Sequence, residues 1–159
     1  MCAQQGEPMD GFNLDIASIK DYEEMLIPAG KYLVEILEGK DEETQKGRGK
    51  LGLRAKIIDT IPAGEDIDLD AFLDPIDSLI FPNIYLPMEG DVSRTKNMMT
   101  KILQGYLVHF EVEAGTPGVL TAKDFIGCSG GIVVKHERMD KDDPSSDLRV
   151  NIKSACAID

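Results

Sequence analysis

The sequence predicts a mainly β fold, five short strands closed into a small barrel with one helix inserted between strands three and four. Three observations predict it. Short segments alternate apolar and polar residues at the period of a strand. One segment, after Asp91, repeats its apolar residues at helical spacing instead. Glycine, proline and acidic clusters separate these segments like turn signals.

Residues 1–26 read as a polar, mixed extension with one short helix around Ile16–Met25. The domain proper spans residues 27–159. Ile27-Pro28-Ala29-Gly30 is a turn ahead of strand one, Lys31–Glu38, with Tyr32, Val34 and Ile36 on one face. Gly39-Lys40-Asp41-Glu42-Glu43 reads as a charged loop tip. Strand two is Lys50–Thr60: Leu51, Leu53, Ala55 and Ile57 share one face, Arg54 and Lys56 the other. The acidic segment Glu65–Asp77 has Phe72, Leu73 and Ile76 as apolar anchors.

Strand three is Leu79–Leu86. Ile80, Ile84 and Leu86 take one parity, Phe81, Asn83 and Tyr85 the other, and Pro82 marks an edge or a bulge. Asp91 or Ser93 then caps a helix carrying Met98, Met99, Ile102, Leu103, Tyr106 and Leu107 as its packing stripe. A short extension, Val108–Val112, follows. Leu120–Phe125 forms a helical turn, with capping character in Thr121-Ala122-Lys123-Asp124. Gly131–Met139 and Leu148–Cys156 are strands four and five, joined by the acidic loop Asp140–Asp147. Three strands, a helix and two strands is the element order of an OB barrel.

Composition narrows the function classes. The chain has 159 residues, enough for one domain with a real core, and is 42% apolar and 29% charged. No apolar run approaches the ~18 residues of a membrane span, and the first residues lack the pattern of a signal peptide. The expected compartment is a cytoplasm. Cys2, Cys128 and Cys156 form no CxxC pair and read as isolated thiols. A zinc site with His109 or His136 finds no support in ligand spacing.

A net charge of −12, from 17 cations and 29 acids, disfavours general adhesion to polyanions. Yet Lys46-Gly-Arg48-Gly-Lys50-Leu-Gly-Leu-Arg54-Ala-Lys56 holds five basic residues and no acid. This stripe is a local anion site, running from a glycine-rich turn onto the outward face of strand two. Single-stranded nucleic acid needs cations along its phosphates and flat side chains under its bases. Lys46, Arg48, Lys50, Arg54 and Lys56 supply the first, and Phe81 and Tyr85 the second, provided strands two and three pair. Lys135 and Lys153 could extend the path. The plainer alternatives are a solvated hairpin, and burial of Phe81 and Tyr85 beneath the 65–77 segment. Enzyme motifs fail. Gly47-Arg48-Gly49-Lys50 lacks the spacer and hydroxyl of a P-loop, and Asp66, Asp68 and Asp70 lack the glycine and glutamate of a calcium loop. No cofactor and no catalytic constellation are expected.

The pieces Ile27-Pro28-Ala29-Gly30-Lys31-Tyr32-Leu33-Val34-Glu35-Ile36, Thr44-Gln45-Lys46-Gly47 before Leu51–Ile58, Tyr85-Leu86-Pro87, Phe125-Ile126-Gly127 before Val133-Val134-Lys135, and Val150-Asn151-Ile152 together resemble a phage family. It is the OB-fold single-stranded DNA-binding proteins of phage replication and recombination modules. The resemblance implies sequence-nonspecific coating of exposed strands in the host cytoplasm. Replication or recombination proteins would meet the acidic segments, and an oligomer is open. The competing expectation is an OB-like protein-interaction or virion module that binds no nucleic acid.

Overall fold

A computed structural model describes residues 11–16 and 25–159. Most of the helix expected around Ile16–Met25 lies outside the described residues. The fold is mainly β. Its elements are β1 (Gly30–Glu43), β2 (Gly49–Ile61), β3 (Leu79–Ile80), β4 (Asn83–Tyr85), α1 (Ser93–His109), a 3-10 helix (Ala122–Phe125), β5 (Ser129–Arg138) and β6 (Leu148–Cys156). Every strand pairing is antiparallel, in the order β3-β2-β1-β5-β6, with β4 also on β2. The sheet curls into a half-barrel. Among the described residues no pairing joins β6 to β3 or β4, so the expected full closure is not reached.

The strand faces follow the alternation. Tyr32, Val34 and Ile36 of β1, Leu51, Leu53, Ala55 and Ile57 of β2, Ile80, Ile84, Ile132 and Val134 point inward and form one core. Tyr106 and Phe110, stacked with ring centroids 5.7 Å apart, join it from α1 and its C-terminal cap. Ala122 and Phe125 join it from the 3-10 helix. α1 packs on β6, β4 and β5.

Several expectations are corrected. Gly39–Glu43 is strand, because each of its residues finds a partner in β2 from Leu53 to Gly49. The turn therefore shrinks to Thr44–Arg48, closed by Thr44 and Arg48 backbone groups at 2.8 Å, with Gly47 at φ 85° where other side chains are strained. Strand three is broken into β3 and β4. Pro82 has no N–H to continue the ladder, although its carbonyl still accepts from the Leu53 amide at 2.9 Å. α1 runs to His109 and absorbs the expected extension. Its N-cap position is Val92, with no side-chain cap, because Asp91 is engaged elsewhere. Met98 is exposed, since the series at i, i+3, i+4 and i+7 starts at Met99 and runs through Ile102, Leu103 and Tyr106. In the 65–77 segment Leu73 and Ile76 are also exposed, and Pro75 is the buried residue.

The 3-10 helix forms as the Thr121–Asp124 pattern predicts, with a reciprocal capping box. Gly39 lets it approach, because a Cβ there would overlap the Ala122 carbonyl. Asp41 of β1 accepts from the Ala122 amide at 2.8 Å.

Candidate nucleic-acid interface

The register of β2 places its outward residues between two other rows. On one side β2 meets β4 and β3, pairing Lys50 with Tyr85, Gly52 with Asn83 and Lys56 with Leu79. The same register sets Phe81 opposite Arg54. Strands two and three thus pair as expected, and aromatics neighbour cations. Phe81 is 61% exposed and Tyr85 44%, so the 65–77 segment does not cover them.

On the other side β2 meets β1, and the neighbours are acids. Glu42 is the partner of Lys50, Glu38 of Arg54 and Glu35 of Lys56. Lys50 Nζ is 3.0 Å from Glu42 Oε2, and Arg54 Nη1 is 2.9 Å from Glu38 Oε1. The stripe that looks cationic along the sequence is therefore a ladder of opposite charges across two strands. Each such exposed pair is worth only ~0–1 kcal/mol, but its net charge is nil, and that weakens the stripe as an anion site. Sequence reasoning missed the acids, yet a signal existed: Glu42 and Lys50 lie four residues either side of Lys46, and Glu38 and Arg54 lie eight. A hairpin turning at Lys46 must juxtapose them.

Arg48 departs further from the expected path. Its guanidinium turns inward, forks onto Asp91 at 2.6 and 2.9 Å, and donates to the Leu86 carbonyl at 3.0 Å. The two side chains are only 19% and 7% exposed. Asp91 also accepts from the Met88 amide at 2.9 Å. This bidentate pair ties the β1–β2 turn to the start of α1. The Arg48 hydrogen bonds, then the Met88 amide, lower the Asp91 pKa from 3.8 to about 2. A depressed carboxylate stabilises the fold above its unfolded pKa, and that contribution disappears as pH falls towards the folded value. The stability gap between the protein and Asp91→Asn should be widest above pH ~5 and close between pH ~4 and ~2. Urea unfolding across that range reads it; a gap that stays constant would place the effect elsewhere.

The remaining cations divide. Lys153 Nζ is 2.6 Å from Glu137 Oε1. Lys46 and Lys135 are exposed, Lys56 is half-buried, and none of the three has an ion pair among the described residues. His136 Nε2 lies 2.7 Å from the Ile27 carbonyl, to which it donates. Among the described residues no three His, Cys, Asp or Glu side chains are grouped to hold a metal.

The half-barrel leaves a groove of about 730 Å³ between the β3–β4 edge and β6. Its inner wall is apolar: Leu26, Ile27, Ile80, Val150 and Ile152. Its lips carry Phe81, Asn83 and Tyr85 on one side and Arg149 and Asn151 on the other. Among the described residues Arg149 is the single charged residue lining it, and it pairs loosely with Glu137 at 3.9 Å. In a chain with 29 acids, none of the described residues lining the groove is acidic. Asn83, Arg149 and Asn151 were not singled out from sequence, because only the curl of the sheet brings β6 opposite β4.

No protein-family model matches this chain, and no curated protein matches it. Among the described residues no helix is long and apolar enough to cross a membrane.

Proposed function

We propose that this half-barrel is an OB-like domain that binds single-stranded DNA with little sequence preference along the lips of its groove. One observation carries the reading. In this strongly acidic chain the described residues lining the groove include no acid, and two exposed aromatic side chains border it. Bases stack on Phe81 and Tyr85. The amides of Asn83 and Asn151 offer donors and acceptors to any base. Lys46, Lys56, Lys135 and Arg149, the last held only loosely by Glu137 at 3.9 Å, meet phosphates, while the closely paired Lys50, Arg54 and Lys153 contribute little net charge. Acids elsewhere keep the strand from adhering outside this path. Coating exposed strands in replication or recombination is the role such binding serves.

Labelled oligo-dT and a duplex of equal length, each titrated by fluorescence anisotropy, test this. The single strand should bind in the micromolar range or tighter at low salt, and the duplex should not. With four phosphate contacts, log K against log salt should fall with a slope no steeper than about −3. Equal affinity for the duplex, or no binding to either at micromolar protein, would sink the proposal.

A further inference from the structure

Three exposed apolar residues upstream of the barrel have no role so far. Phe12 is 77% exposed, Leu14 62% and Ile16 54%. They alternate with Asn13 and Asp15, the sequence pattern of a strand with one face to be buried, although Ile16 opens a helix in the chain by itself. The half-barrel has a complementary vacancy. Among the described residues β3 and β4 bond only to β2, and β6 only to β5, so both borders of the groove are open strand edges there. Open edges are templates for another strand.

We propose that the Phe12–Ile16 segment of a second copy adds as a strand between β6 and the β3–β4 edge, completing the barrel. The exchange is reciprocal and gives a two-fold dimer. Chemistry matches on both faces of the inserted strand. Phe12, Leu14 and Ile16 enter the inner wall of Ile80, Val150 and Ile152. Asn13 and Asp15 join the outward face beside Arg149, the one charged residue among the described residues lining the groove. Length matches too: five extended residues span ~17 Å, less than the seven-residue edge from Leu79 to Tyr85. A second copy is favoured because the chain's own segment lies exposed, off its own groove. Met25–Ile27, which line the groove, are held by His136 on the Ile27 carbonyl and by the Leu73 amide on the Leu26 carbonyl. The inference does not rest on nucleic-acid binding: Phe81 and Tyr85 stay outward for stacking, while Asp15 beside Arg149 would take that cation from the phosphate path.

The full-length protein and its Phe12→Asp/Leu14→Asp variant decide the matter by sedimentation and by amide hydrogen exchange. The unaltered chain should sediment as a dimer, and the variant as a monomer with unchanged far-UV circular dichroism. Amides of residues 79–85 and 150–152 should exchange at least tenfold faster in the variant. A synthetic peptide of residues 11–16 should restore that protection, one per chain, and the same peptide with both aspartates should not. A dimer that survives the double substitution overturns the proposal. So does an unaltered chain that is monomeric throughout, whether its groove is protected by its own segment or left open.

Discussion

Replacing Phe81 and Tyr85 together by alanine is expected to weaken oligo-dT binding by ~30-fold or more, taking the lower bound of about 1 kcal/mol per stacked base. Both rings are exposed, so the fold should lose almost nothing: neither fills the core, and the buried residues of the opposite parity, Ile80 and Ile84, are untouched. The thermal midpoint should therefore stay within a degree or so while the anisotropy titration shifts. Tyr85→Phe keeps the flat ring and should keep most of the affinity. Under a threefold change in the double alanine variant would remove stacking from the mechanism. Binding would then have to rest on cations of which several are already paired with acids.

Phe125→Ala should cost about 3–5 kcal/mol, the range for deleting a fully buried ring. The high end is expected because the walls around Phe125 cannot collapse. The ring is completely buried. Its backbone is fixed by Asp41 on the Ala122 amide and by Asp124 on the Thr121 amide at 2.9 Å and the Gly115 amide at 3.0 Å. Just beyond, the Ile36 amide donates to the Cys128 carbonyl and the Gly127 amide to the Ile36 carbonyl, both at 2.9 Å. Against a total stability of ~5–15 kcal/mol, such a loss should lower the thermal midpoint by ~10 °C. Phe125→Leu, which refills most of the space, should cost less than half as much. Calorimetry on the two variants checks both figures, and equal losses would show that the site relaxes.

Alternation made the strand faces legible in the sequence. Leu51, Leu53, Ala55 and Ile57 point inward as read, and Phe81, Asn83 and Tyr85 point outward. β6 begins and ends where its apolar residues do, because Asp147 and the acids before it stop the pattern. Pro82 announced the irregularity in strand three, and Thr121 with Asp124 announced the 3-10 turn. Pairing was not legible in the same way. Gly39–Glu43 has the composition of a loop and becomes strand through its register with β2, which no single segment displays. Arg48 looked like one cation among five. Its partner Asp91 lies 43 residues later, just ahead of α1. The groove is harder still to foresee, since it exists only because the curl of the sheet brings its first and last strands face to face.

The charge ladder on β1 and β2 sets how the molecule looks from a distance. Each cation matched by a neighbouring glutamate vanishes from the far field, and what remains is the overall −12. A polyanion approaching through solvent feels that net negative charge only within about one Debye length, ~8 Å at physiological salt, because beyond it the ions screen the repulsion. Closer in, individual side chains become distinguishable and the groove can be sensed. Recognition by this surface is therefore short-sighted: it selects what is already touching and does not reach out to gather it.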